Sequence, residues 1–159
     1  MPADSITCGM RVIIILLSCV AFFACSSNDR NIEDVPVAIS DTILVWNVNA
    51  DSMIMKKDTL IPDSAMTVQR IINGLNEKYP EVQLVFLKQS GDTLYTNVPN
   101  GEYLGNQMGS AGASAWFADA TINLTSVRGI NYVSFAMDMF SHAGSTTIGR
   151  DDYKNWKKL

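Results

Sequence analysis

The sequence has 159 residues and a formal net charge of −4 at pH 7, with its 12 Lys and Arg residues scattered along the chain. This scatter excludes the clustered basic face that nucleic-acid binding requires. All three cysteines lie in the first 25 residues. The rest of the chain therefore has no disulfide framework, no cysteine-based zinc site and no thiol nucleophile.

The N-terminal segment has the pattern of a secretory signal peptide. Arg11 precedes 13 apolar residues, and Cys25 follows directly. This run is shorter than the roughly 20 apolar residues of a membrane-spanning helix. The residues FFAC resemble the bacterial lipobox, in which the cysteine receives a diacylglyceryl group. We expect residues 1–24 to be a lipoprotein signal peptide, with Met10 as the true initiator, and Cys25 to carry the lipid.

Two alternatives compete with lipidation at Cys25. The stretch LLSC also resembles a lipobox and ends at Cys19, but it leaves only six apolar residues after Arg11, too few for a signal core. The other alternative is a buried apolar helix that contains a cysteine by chance.

The lipid and the residues after it predict where the protein resides. Each buried methylene of an acyl chain contributes about 0.8 kcal/mol, so a multiply acylated, palmitate-bearing Cys25 would hold the protein on a membrane. Residues 25–40 are mostly polar and predict a flexible tether. Ser26 resembles the residue that favours outer-membrane sorting. We expect an envelope lipoprotein, in the outer membrane rather than the inner one, facing the periplasm or the surface.

The predicted domain, residues 41–159, begins with extended chain and a helix. Residues 41–49 predict a strand covered on both faces, and residues 53–61 a second strand interrupted at its lysines. A helix is expected to begin with Asp63 or Ser64 as N-cap and to end at Tyr79, before proline. Its predicted buried stripe comprises Val68, Ile71, Ile72, Leu75 and Tyr79.

A hairpin, a helix and a strand follow in the prediction. Residues 82–89 and 93–96 flank a glycine-containing turn, and 98–101 form another turn. A second helix is expected from Ser110 or Ser114 to about Val127, and then a strand at 132–137. This order predicts an α/β fold, more narrowly an α+β two-layer sandwich, with a mixed sheet and two helices on one face. The basic residues 154, 157 and 158 are read as a solvated tail.

Few residues in the sequence indicate a catalytic, metal-binding or ligand-binding site. His142 is the only histidine, and a serine hydrolase would pair it with Ser110 or Ser145, although the sequence has no Gly-x-Ser-x-Gly elbow. Glycines 109 and 112 flank a helix start that could hold an anion or simply form a turn. Asp138, Asp151 and Asp152 lack the spacing of a cation-binding loop, so neither a metal nor a cofactor is expected. Asn123 begins a glycosylation sequon inside the second predicted helix.

About half of the chain resembles the GerM-type (GerMN, sporulation and spore germination) domain found in small lipoproteins. The resemblance is carried by the helix after Pro62, by YLGNQMGSAGA at residues 103–113 and by TINLTSVRGINYVSF at residues 121–135. His142 with Arg150 is similar to a histidine and an arginine that follow the closing strand in related lipoproteins. The resemblance implies an α/β assembly or binding module without catalysis.

Three functions remain open from the sequence. The first is a non-catalytic module that binds a protein partner or an unidentified ligand in the envelope through glycine-rich loops on a rigid scaffold. The second is an envelope serine hydrolase, and the third is a purely structural envelope protein. The residues expected in the binding loops are Tyr103, Gly109, Ser110, Gly112, His142 and Arg150.

Overall fold

The computed structural model describes residues 40–159. The predicted signal peptide, the lipidated Cys25 and all of the tether except Ser40 lie outside the described residues. Within residues 40–159, no helix combines the length and the apolar character needed to cross a membrane.

The described residues form seven strands and two α-helices, with shorter helical turns between them. The strands are β1 (Trp46–Asn49), β2 (Ile54–Lys57), β3 (Val85–Ser90), β4 (Thr93–Asn97), β5 (Tyr132–Ala136), β6 (Thr146–Gly149) and β7 (Lys157–Lys158). The helices are α1 (Val68–Lys78) and α2 (Gly109–Leu124), and a π-helical segment covers Tyr103–Gln107. Two 3-10 turns cover Asp63–Ala65 and Arg150–Tyr153.

The predicted α+β fold with a mixed sheet is confirmed, but the strands divide between two sheets. One sheet has the order β1-β2-β7 and the other β3-β4-β5-β6, and each contains both parallel and antiparallel pairs. In the smaller sheet β2 is the central strand, between β1 and β7. Phe135 of β5 contacts Trp116 and Phe117 of α2, with ring centroids 5.4 and 5.2 Å apart.

The first predicted strand is shorter than expected. Only residues 46–49 pair in a sheet, whereas the chain before them runs along α1, where Ile43 N donates to Arg70 O at 3.1 Å. Ile43 and Val45 are buried there. Ile43 is therefore buried against α1, whereas Val45 O accepts from Asp58 N at 2.9 Å just after β2.

The stripe of α1 is confirmed, but its predicted N-cap is wrong. Ile71, Ile72 and Leu75 are buried. Asp63 lies in a 3-10 turn, and the N-cap is Thr67, whose hydroxyl accepts from Arg70 N at 3.4 Å. The helix begins later than predicted because residues 63–65 form a separate turn with its own backbone hydrogen bonds.

The predicted hairpin is confirmed as β3 and β4. Gly91 has φ +59° in the connecting turn, a conformation that glycine adopts without steric cost. Strand β3 lies at the edge of its sheet, and Val85, Phe86 and Leu87 are 43%, 43% and 55% exposed. The pairing with β4 shifts register between Phe86 and Lys88, which is a β-bulge.

A fully buried carboxylate joins α1, α2 and β1. Asp119 accepts from Lys78 Nζ at 2.5 Å, from Tyr79 Oη at 2.9 Å and from Asn123 Nδ2 at 2.9 Å. Burial and the adjacent Asp119 carboxylate raise the pKa of Tyr79. Asn123 also accepts from Trp46 N at 2.8 Å, so one network fixes both helices against the first strand.

Two C-terminal strands were not predicted, and the expectation of a solvated basic tail is wrong. Strand β6 pairs with β5, and the lysines of β7 pair with β2. Their side chains are exposed, but the backbone completes a sheet. Tyr153 and Trp156 are partly buried against the core, with ring centroids 5.2 Å apart.

Candidate functional site

A glycine-rich segment, residues 101–112, and a second segment, residues 138–145, lie against each other and are called the loop surface here. His142 N donates to Gly105 O at 2.9 Å, and Ser141 N donates to Asn106 Oδ1 at 3.3 Å. Phe140 N donates to Ala143 O at 2.8 Å, which closes the second segment on itself. Backbone hydrogen bonds thus fix the two segments relative to each other.

The side chain of Phe140 lies on two glycines of the first segment. A Cβ atom at Gly105 would be 2.7 Å from Phe140 Cγ, and one at Gly101 would be 3.1 Å from Phe140 Cε2. Both glycines are buried. Gly105 is required because the Phe140 side chain approaches it more closely than a Cβ atom would allow, whereas a Cβ atom at Gly101 would make only a tight contact with the end of the ring.

Ser110 and His142 meet on this surface. Ser110 Oγ and His142 Nδ1 share a hydrogen bond of 3.0 Å, and both residues are exposed. Ser110 lies in the first turn of α2, directly after Gly109, whose φ of +67° breaks the chain direction between the π-helical segment and α2. The serine and histidine that a hydrolase would require are therefore adjacent.

The hydroxyl of Ser145, the alternative nucleophile, makes two hydrogen bonds to the backbone. Its Oγ donates to Met137 O at 2.7 Å and accepts from Met137 N at 2.9 Å. These two bonds use the hydroxyl to close the turn between β5 and β6. Of the two serines, the structure places Ser110 beside His142.

Most of the residues expected in a binding loop lie on this surface. Tyr103, Gly109, Ser110 and Gly112 belong to its first segment, and Tyr103 is 36% exposed. Met139, on the second segment, is 84% exposed. The surface thus presents apolar side chains beside the Ser110–His142 pair.

Arg150 is not part of the loop surface. Its Nη1 donates to Ile122 O and to Thr125 Oγ1, at the C-terminal end of α2, and its guanidinium lies 5.0 Å from the ring centroid of Trp46. Ser110 is at the opposite end of the same helix, which is about 24 Å long at 1.5 Å per residue. Burial lowers the pKa of Arg150.

The acidic candidates are separated in the fold. Asp138 follows β5, whereas Asp151 and Asp152 lie in the 3-10 turn after β6, where Asp152 Oδ2 accepts from Gly149 N at 2.8 Å. Among residues 40–159, no three His, Cys, Asp or Glu side chains converge as metal ligands would. Asn123 is helical, as predicted, and is fully buried in the Asp119 network.

Sequence reasoning missed Asn106 and Phe140. The signal for Phe140 was present, because Gly101 and Gly105 are four residues apart and share one face of a helix. Two glycines on one face indicate close approach of another element. The sequence does not indicate which aromatic residue approaches.

In comparisons with protein-family models, with characterised proteins and with solved structures, nothing matches this chain.

Proposed function

We propose that this protein is a lipoprotein held in the cell envelope through Cys25, and that its folded residues act as a non-catalytic binding or assembly module of the GerM type. The observation that supports the binding role is the loop surface, whose two segments are joined by hydrogen bonds from His142 N and Ser141 N and by the packing of Phe140. A surface that is already ordered loses little conformational entropy when a partner binds.

The composition of the loop surface supports a protein partner. Met139 and Tyr103 are exposed apolar side chains on segments whose backbone is held in place. Aromatic and methionine side chains are enriched at protein interfaces, where they supply contact area. Asn106, Gln107 and Ser110 are exposed around them and supply hydrogen-bonding groups.

Site-specific photocrosslinking in the native envelope tests the partner surface. A photoreactive residue replaces Met139 in one variant and Leu60 in the control, because Leu60 is equally apolar and is 89% exposed outside the loop surface. We expect a crosslinked band of defined mass from position 139 and none from position 60. Equal crosslinking at both positions, or none at position 139, would contradict the binding role.

The anchor has its own test. Mass spectrometry of the mature protein should show an acylated N-terminal Cys25 with residues 1–24 removed, and Cys25→Ala should abolish the acylation and leave residues 1–24 attached. An unprocessed N-terminus without acyl groups would refute the lipoprotein assignment, whereas the crosslinking result would still bear on the loop surface.

A serine hydrolase is the second candidate, and the 3.0 Å contact between Ser110 and His142 favours it. In such a reaction Nδ1 of the imidazole would take the Ser110 proton while Oγ attacks an acyl carbon. Among residues 40–159, no side chain hydrogen-bonds the other ring nitrogen, the position where a triad places its carboxylate. The described residues therefore contain a nucleophile, Ser110, and a base, His142, but no carboxylate at the third position of a triad.

A fluorophosphonate probe separates the hydrolase from the binding module. For a hydrolase, the probe labels the wild-type protein and Ser145→Ala but not Ser110→Ala or His142→Ala. For the binding module, none of these four proteins is labelled. Labelling that survives Ser110→Ala would exclude Ser110 as the nucleophile.

A further inference from the structure

A cleft at the C-terminal end of α2 lies apart from the loop surface and is called the Arg150 cleft here. It has a volume of about 590 Å³. The side chains that line it include Trp46, Lys57, Asp63, Met66, Arg128 and Arg150. This volume falls within the range of roughly 300 to 1,000 Å³ that small-molecule sites occupy.

The charge of the cleft is opposite to that of the protein. Three cationic side chains and one carboxylate line it, while the whole chain carries a net charge of −4. Within the described part of the chain, the one ion pair is Lys78 with Asp119, so Lys57, Arg128 and Arg150 have no carboxylate partner there. The cleft therefore carries an excess of positive charge.

Arg150 is held in place but is not neutralised. Its Nη1 bonds the carbonyl of Ile122 and the hydroxyl of Thr125, and its guanidinium lies over Trp46. A guanidinium has five N–H donors on three nitrogens. Of the three guanidinium nitrogens of Arg150, only Nη1 has an acceptor among residues 40–159. The hydrogen bond to the last turn of α2 accounts for the position of Nη1. It does not account for the presence of Arg128 and Lys57 in the same cleft.

The apolar wall of the cleft is fixed as well. Trp46 is 9% exposed, and its Nε1 donates to Ser126 Oγ at 2.9 Å. Met66 and Val45 extend this wall. Cationic side chains beside ordered apolar ones, with Arg150 stacked on Trp46, suit a ligand that has one anionic end.

We propose that the Arg150 cleft binds a small organic anion, whose carboxylate or phosphate group is held by Arg150, Arg128 and Lys57 while its apolar part contacts Trp46 and Met66. The planar guanidinium of arginine matches both kinds of head group through paired N–H donors. The Asp63 carboxylate on the 3-10 turn disfavours ligands with negative charge at both ends.

Titration of the mature protein with benzoate, phenyl phosphate and neutral benzyl alcohol tests this inference. The indole N–H signal of Trp46 in a proton–nitrogen spectrum reports binding, and Trp116 and Trp156 are internal references. We expect a saturable shift of Trp46 with at least one anion and none with benzyl alcohol. A response to phenyl phosphate alone identifies a phosphate head group, and a response to benzoate alone identifies a carboxylate.

Arg128→Gln and Lys57→Gln test the cationic side chains of the cleft, since both residues are exposed and neither forms an ion pair within residues 40–159. Loss of one charge-assisted hydrogen bond should weaken binding about tenfold or more. Lys154→Gln, an exposed charge change outside the cleft, is the control and should leave affinity within about twofold. No saturable shift with either anion, an equal shift with benzyl alcohol, or unchanged affinity in both cleft variants would overturn the proposal.

Discussion

Alanine in place of Gly105 should disturb the loop surface without touching the rest of the fold. Its Cβ would lie 2.7 Å from Phe140 Cγ and closer still to Phe140 Cβ, far inside ordinary van der Waals contact. Overpacking of this kind typically costs about 1 to 3 kcal/mol, and the better helix propensity of alanine returns up to about 1 kcal/mol. Because Phe140 Cβ cannot rotate away, we expect a cost near the upper end of that range and a net fall in the free energy of unfolding of about 2 kcal/mol in urea denaturation.

The control substitution is Gly144→Ala on the same surface. There the obstructing atom, at 2.8 Å, is the sulfur of Met139, the far end of a flexible and 84% exposed side chain that can rotate away. Its effect should stay within about 0.5 kcal/mol. The double variant Gly105→Ala/Phe140→Ala should not restore stability, because the nearest obstructing atom is the Cβ that alanine also carries. Equal stability of Gly105→Ala and wild type, or full rescue by Phe140→Ala, would refute the reasoning.

Three further predictions concern the buried network, the alkaline limit and one turn. Asp119→Ala should lower the free energy of unfolding by about 3 kcal/mol in urea denaturation, because it leaves Tyr79 and Lys78 without their acceptor, and Lys78→Met should cost at least as much because it leaves the fully buried Asp119 carboxylate without its counter-charge. Burial, aided by Asp152, raises the pKa of Tyr153 from 10.0 to about 12. The neutral phenol therefore contributes its full stability below pH 10, and this contribution is lost as the pH rises from 10 to 12. Tyr153→Phe should flatten the fall of the melting temperature in that interval, and an unchanged slope would contradict this cause. Gly129 has φ +86°, so Gly129→Ala should cost about 1 to 2 kcal/mol and Gly129→Asn less, as measured by thermal unfolding.

The elements with strong local patterns were predictable from the sequence. Helix α1 followed from its apolar spacing, and the β3–β4 hairpin followed from the glycine between two apolar runs. The exact start of α1 was not predictable in the same way. Asp63, Ser64 and Thr67 can all cap a helix, and the choice of Thr67 depends on the separate turn at residues 63–65.

The remaining elements depend on tertiary contacts. Strand β7 has two lysines and no periodicity, and it forms because β2 has a free edge. Short strands of this kind take their stability from their partners rather than from their own sequence.

The candidate sites were predictable as residue types but not as distances. Ser110 and His142 could be named together, and the fold brings them to 3.0 Å across 32 positions of the chain. Arg150 was expected in the same surface and lies instead at the far end of α2, because its guanidinium binds carbonyl and hydroxyl groups there. The Arg150 cleft draws its lining from several separated segments, which no local motif could indicate.

The irregular edge of the larger sheet has a consequence for behaviour at high concentration. Strand β3 presents three exposed apolar side chains in sequence, a composition that favours fibril growth by strand addition. The bulge after Phe86 bends the strand, and the charge of Lys88, whose Nζ lies 5.1 Å from the ring centroid of Tyr95, follows directly. A flat incoming strand cannot keep register across that bend, so copies of the protein should stay dispersed at high protein concentration.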